Sequence, residues 1–236
     1  MGKSTFNGTP DRIARTAGLL YTLMIPLGIF GIMYVPATLV VAGDAAATAV
    51  NIVLNTGLFR LSIVAALLVQ ISHIFIVLLL YKLLISVNRN HAVLMVIFLL
   101  ISVPLTMINE LNNFAVLLLA GGADSLNAFT SGQVQALTSI LLDLHEFGIL
   151  IAGIFWGLWL LPMGYLVYKS DFLPKFLGVL LIIACSGYVI DSFSRMIFPG
   201  YGTTIMANII VFTMFGEIVF PLWLLIKGVK VEEGQN

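Results

Sequence analysis

Long apolar runs separated by short polar stretches dominate this chain, and run length decides what each one is. Runs cover about 15–41, 58–87, 91–119, 134–168, 173–198 and 204–227. A membrane-crossing helix needs about 20 consecutive, mainly apolar residues, so all six predict transmembrane helices. Pro26 predicts a bend in the first, and Pro36 predicts its end. That run is longer than the roughly 7–15 apolar residues of a signal-peptide core, so it is taken as a spanning helix. The segment Gly43–Thr56 is apolar but short, which predicts an interfacial connection. Met1–Asp11, Gly121–Gly132 and the tail VEEGQN predict polar, non-helical stretches.

Composition supports this reading and narrows it. Of 236 residues, 60% are hydrophobic and only 9% are charged, against about 25% charged in soluble domains; the mean hydropathy is +1.09. Six spans use up almost the whole length, so residues 1–236 are expected to form one all-α, polytopic transmembrane bundle, with the lipid bilayer as its partner. The formal net charge is zero, and the cations are scattered in short loops, which excludes a nucleic-acid-binding face. Charge also orients the bundle. Lys3, Arg12, Arg15, Lys82, Arg89, Lys169, Lys175, Lys227 and Lys230 fall on the side of the termini, and only Arg60 and Arg195 fall on the other. By the positive-inside rule both termini are cytoplasmic. The single cysteine, Cys185, lies mid-span and excludes an internal disulfide. Trp156 and Trp159 also lie mid-span, where bundle packing is their expected role, and Trp223 fits an interfacial belt.

The stretch LDLHEFGILIAGIFWGLWLLPMG, Leu142–Gly164, carries the most unusual chemistry. On an ideal helix Glu146, Gly153, Gly157 and Gly164 fall within about 40° of one another, with Asp143 about 60° to the side. Small residues at that spacing admit a neighbouring backbone, so this acidic stripe is expected to face protein. In the third span Thr106, Asn109, Glu110 and Asn113 share about 100° of arc, a face unsuited to lipid. Asp191 and Arg195, one turn apart, can pair within their own helix. With the predicted topology, Glu110, Asp143, His145, Glu146, Asp191, Arg195 and Arg60 occupy the outer part of the membrane, and Glu217 lies deeper. The expectation is an acidic cup open to the outside.

Ionisable groups in hydrocarbon cost about 2.5–3.5 kcal/mol each even on the lenient insertion scale, so each calls for a partner, water or a function. Five acids, Glu110, Asp143, Glu146, Asp191 and Glu217, face two arginines, Arg60 and Arg195. Three readings follow. The cup binds or transports a cation or small cationic molecule, with Asn109 and Asn113 beside Glu110 and with Glu217 as a proton or ion relay; Pro221 lacks the amide that would bond the Glu217 carbonyl. Alternatively, Glu110, Asp143, His145 and Glu146, together with Asp191, hold a divalent metal that activates water in a membrane-embedded hydrolase of lipid or acyl substrates, with Asp143, His145 and Glu146 as the first candidate ligands. The spacing matches no established metal signature, and His145 points about 100° away from Glu146. In the third reading the charges form a satisfied network that fixes helix register. His73, beside Gln70 in mid-span, is a packed, hydrogen-bonded histidine before it is a haem ligand. No nucleophile elbow, phosphate-binding glycine loop or cysteine pair is present.

The run HEFGILIAGIFWGLWLLPMGYLVYKSDFLPKFLGVLLIIACSGYVIDSF, together with RTAGLLY near the start and NEL at Asn109–Leu111, resembles a bacterial membrane-protein family catalogued as domain of unknown function forty-three eighty-six. The likeness extends over nearly the whole chain. It implies a six-helix protein of the bacterial inner membrane, and it carries over no activity, cofactor or catalytic residue.

Overall fold

The computed structural model describes residues 9–121, 128–198 and 200–230. The expected polar tail lies wholly outside the described residues, as do residues 1–8 and 122–127 of the other two polar stretches, whereas Pro10, Asp11, Ser131 and Gly132, expected outside helices, are helical. Among those described there is no strand. Helix α1 runs over Pro10–Leu39, α2 over Ala45–Leu54, α3 over Thr56–Leu84, α4 over Arg89–Ala120, α5 over Ser131–Leu158, α6 over Leu160–Lys169, α7 over Lys175–Ile197, α8 over Ile205–Thr213 and α9 over Gly216–Ile226. Five stretches are long and apolar enough to cross a membrane: α1, α3, α4, α5 continued by α6, and α7.

Three interruptions depart from simple apolar runs. In α1 the chain does not end at Pro36; a π-helical turn, Ile29–Tyr34, lies between Pro26 and Pro36, and the α-helix resumes to Leu39. Each proline removes an amide from the ladder, and the wide turn absorbs the mismatch while leaving Pro36 in a first turn, where a missing amide is tolerated. Between α5 and α6 the chain turns at Trp159, where Pro162 cannot bond the Leu158 carbonyl. The predicted last span is divided by a turn at Met214–Phe215. There the amides of Phe215, Glu217 and Ile218 bond carbonyls three residues back, those of Phe212, Met214 and Phe215.

The chain divides into two compact units. The first comprises the described parts of Met1–Leu23, Ser72–Ser102 and Gly153–Asn236. Apolar side chains gain little from leaving lipid for one another, so close backbone approach at small residues has to bring such helices together. The glycines of this unit meet that need. A Cβ on Gly178 would lie 2.5 Å from the Gly164 carbonyl oxygen, and one on Gly164 would lie 2.7 Å from that of Gly178, so α6 and α7 touch backbone to backbone. Gly153 and Gly157 likewise face Ser192, Cys185 and Tyr188 of α7, and Gly18 of α1 faces Pro221–Leu225 of α9. Arg15 fastens the chain ends: its Nη1 donates to the carbonyls of Leu225 and Ile226 at 3.0 and 3.2 Å, satisfying orphan carbonyls at the end of α9.

The second unit comprises Met24–Ile71 and Val103–Ala152. Its buried core joins Val35 and Leu39 of α1, Ile52 of α2, Phe59 and Ile63 of α3, and Val116 and Leu117 of α4. Gly31 approaches the Ser62 carbonyl, where a Cβ would lie 2.8 Å away. The expected interfacial connection contains α2, ten residues long and N-capped by Asp44 through a 2.8 Å bond from the Ala47 amide.

The backbone contact of α6 with α7 makes a sharp prediction. Gly178→Ala forces a carbonyl to move and should lower stability by about 1–3 kcal/mol. Gly57→Ala, where nothing lies within 4 Å, should leave stability unchanged or raise it slightly; thermal unfolding in detergent compares the two.

Candidate functional site

Each unit holds its own polar cluster, built around one carboxylate. In the second unit that carboxylate is Glu110 on α4, 2% exposed. Its two oxygens have different partners. Oε1 lies 3.1 Å from His145 Nε2 on α5, and Oε2 accepts from Asn113 Nδ2 at 2.9 Å, one turn along α4. Asn109 extends the connection by donating from Nδ2 to the His145 carbonyl oxygen at 2.8 Å, and its own Oδ1 accepts from Asn112 at 3.0 Å. A Cβ on Gly148 would collide with the Asn109 amide, so the missing side chain there is what admits Asn109 to α5. Asn109, Glu110 and Asn113 do share one protein-facing side of the third long helix.

The acidic stripe on α5 is corrected in part. Gly153, Gly157 and Gly164 pack against α7 as a small-residue face should, but Asp143 and Glu146 are exposed and make no hydrogen bond to a described residue. A helical wheel fixes the direction of a side chain, not whether a neighbouring helix stands there at that height. His145, which the wheel sets apart from Glu146, is the residue of this stretch that makes the contact. Arg60 is exposed and pairs with no described carboxylate. Among the described residues no three His, Cys, Asp or Glu side chains gather as a metal site, so Asp143, His145 and Glu146 form no ligand set there.

In the first unit the carboxylate is Glu217, in the first turn of α9 directly after the helix break. Tyr21 of α1 donates its hydroxyl to Oε1, and Tyr188 of α7 donates to Oε2 at 2.6 Å. Three elements thus meet on one side chain, with no cationic side chain bonded to it among the described residues. The Tyr21 ring lies 5.9 Å from that of Trp159, at the turn between α5 and α6, and Trp159 lies 6.3 Å from His73. Tyr21 is the bridge between the two helix interruptions of this unit. His73 is 5% exposed and Trp159 wholly buried, in keeping with packing roles.

Asp191 and Arg195 form the expected pair within α7, Nε to Oδ2 at 2.9 Å. The other Asp191 oxygen is buried and has no hydrogen-bond partner among the described residues.

Magnitudes show what the Glu217 cluster can do. Hydrogen bonds to a charged group contribute about 1.5–3 kcal/mol each, and two of them are comparable with the roughly 2.5–3.5 kcal/mol cost of placing a carboxylate in a transmembrane helix. Glu217 can therefore be carried as an anion accepting from both phenols, or as a neutral acid that itself donates to one of them. Lysine or arginine partners would permit only the first state.

The Glu110 cluster yields a stability comparison. His145→Ala leaves a buried carboxylate oxygen without its partner and should cost about 1–3 kcal/mol. Exposed Glu146→Gln should change stability by less than about 0.5 kcal/mol, both read from thermal midpoints of the purified protein.

One comparison with known proteins shows a family, and none names an activity. An uncharacterized protein of Archaeoglobus fulgidus is 40% identical over 113 residues, covering 46% of this chain and 66% of that protein's length. No solved structure matches the chain significantly. The family model described as "Domain of unknown function (DUF4386)" matches residues 16–228, and the chain belongs to that family.

Proposed function

We propose that this is a six-span protein of the bacterial inner membrane, with both termini cytoplasmic, that binds or moves a cation or small cationic molecule at its intramembrane carboxylates. The carrying observation is the charge balance at Glu217: a carboxylate at a helix break, given two phenol donors and no cationic side chain among the described residues. A carboxylate held by neutral donors alone among the described residues can accept a mobile positive counter-charge or a proton. Broken helices recur where membrane proteins bind ions, because backbone freed from the ladder can line a site. Pro221 leaves the Glu217 carbonyl without its usual amide. Ile205 to Ile226, about 22 residues at about 1.5 Å rise, gives about 33 Å, so α8 and α9 together suffice for a sixth crossing. The distribution of lysine and arginine supports the orientation.

Ligand binding to the folded state alone raises stability, by about 2.7 kcal/mol at a hundredfold excess over Kd. Thermal midpoints of the full chain should therefore rise in sodium chloride or in tetramethylammonium chloride, relative to N-methylglucamine chloride at equal ionic strength, and the rise should vanish in Glu217→Gln. No response to either salt, or a response that persists in the variant, overturns the proposal.

A further inference from the structure

We infer that the ion exchanged at Glu217 is a proton, and that Glu217, Tyr21 and Tyr188 form a proton-binding clasp joining α1, α7 and α9 at the break in the last membrane segment. The inference rests on the same carboxylate as the functional reading above and adds to it: the ionised Glu217 that would hold a cation takes up a proton when the cation leaves. Its basis is the chemistry of the two partners. A phenol both donates and accepts, so the heavy-atom arrangement suits both states of the acid. With Glu217 ionised, Tyr21 donates to Oε1 and Tyr188 to Oε2. When a proton arrives from water, one carboxylate oxygen becomes an O–H and donates to one phenol oxygen, and that phenol's own hydrogen turns away. No other bond forms or breaks.

Among the described residues the side chains bonded to Glu217 supply no fixed positive charge. Tyr21 is the titratable group presented from α1, and Tyr188 the one from α7. The charged pair on α7, Asp191 with Arg195, begins three residues beyond Tyr188 and is joined at 2.9 Å through Asp191 Oδ2. Beyond Tyr21 stands neutral Trp159, and beyond that His73. The two phenols also differ in setting: Tyr21 is 1% exposed, packed against Trp159, whereas Tyr188 is only partly buried. Either phenol oxygen can accept from the protonated acid.

The test is infrared difference spectroscopy of the full chain in lipid, between low and high pH, paired with direct measurement of proton uptake. Wild type should show a carboxylic C=O band at low pH. That band should be absent in Glu217→Gln, with proton uptake lower by a single proton per chain, and it should be displaced in Tyr188→Phe, which keeps the acid and removes one partner. An unchanged band and unchanged uptake in Glu217→Gln overturn the inference. If Glu217→Gln does not fold, Tyr188→Phe decides: a displaced band supports the clasp, and an undisplaced one overturns it. A titrating Glu217 in a protein whose midpoint ignores both salts would overturn the cation reading alone; salt stabilisation without titration would overturn the proton alone.

Discussion

A carboxylate within an apolar helix bundle must receive its hydrogen-bond donors from the protein itself, because lipid has none to offer. Glu217 and Glu110 meet that constraint differently. Glu217 draws hydroxyls from two other helices, so a single side chain decides how α1, α7 and α9 meet. Glu110 draws on a neighbouring turn of α4 and on His145 of α5, which makes its bonds an interhelical register mark. In both cases the polar bond works together with a nearby small residue: Gly148 admits Asn109, and Gly216 brings α9 against the Leu180 carbonyl.

The same constraint explains why the interruptions matter. Backbone that leaves the α-ladder inside an apolar bundle needs other partners, and here the breaks at Trp159 and at Met214–Phe215 fall on either side of Tyr21, whose ring meets one while its hydroxyl meets the other. One tyrosine thereby contacts both α9 and the α5–α6 turn. Protonation of Glu217 changes which hydrogen bonds α1 and α7 make with α9, the kind of local event that can bias a larger movement.

Much of this fold was legible in the residue pattern, because apolar run length alone separates spans from connections. The five long helices, the short apolar connection at Gly43–Thr56, the protein-facing glycines of α5 and α6, and the Asp191–Arg195 pair follow from run length and spacing; the helix α2 within that connection does not. The breaks did not: the last apolar run is continuous in composition, and nothing in Thr213–Gly216 distinguishes a turn from a helix until Gly216 is seen packed on the Leu180 carbonyl. The site was half legible. Glu110, Asn109, Asn113 and Glu217 stood out as polar residues in apolar helices, but Tyr21 and Tyr188 have the spacing of ordinary core aromatics, and only their hydroxyl ends set them apart. Asp143 and Glu146 misled for the opposite reason, since their angular position was right and no partner stood at their height.

The contact of α7 with α9 at the helix break depends most on Glu217 and Tyr188 acting as a bonded pair. A double-mutant cycle on unfolding stability, with Tyr188→Phe, Glu217→Gln and the two combined, tests this directly. Bonded groups in contact couple by about 0.5–3 kcal/mol, and the cycle should give a coupling of at least about 1 kcal/mol, the two single losses failing to add. Strict additivity would contradict the account, because it would mean that the carboxylate and the phenol stabilise the protein independently.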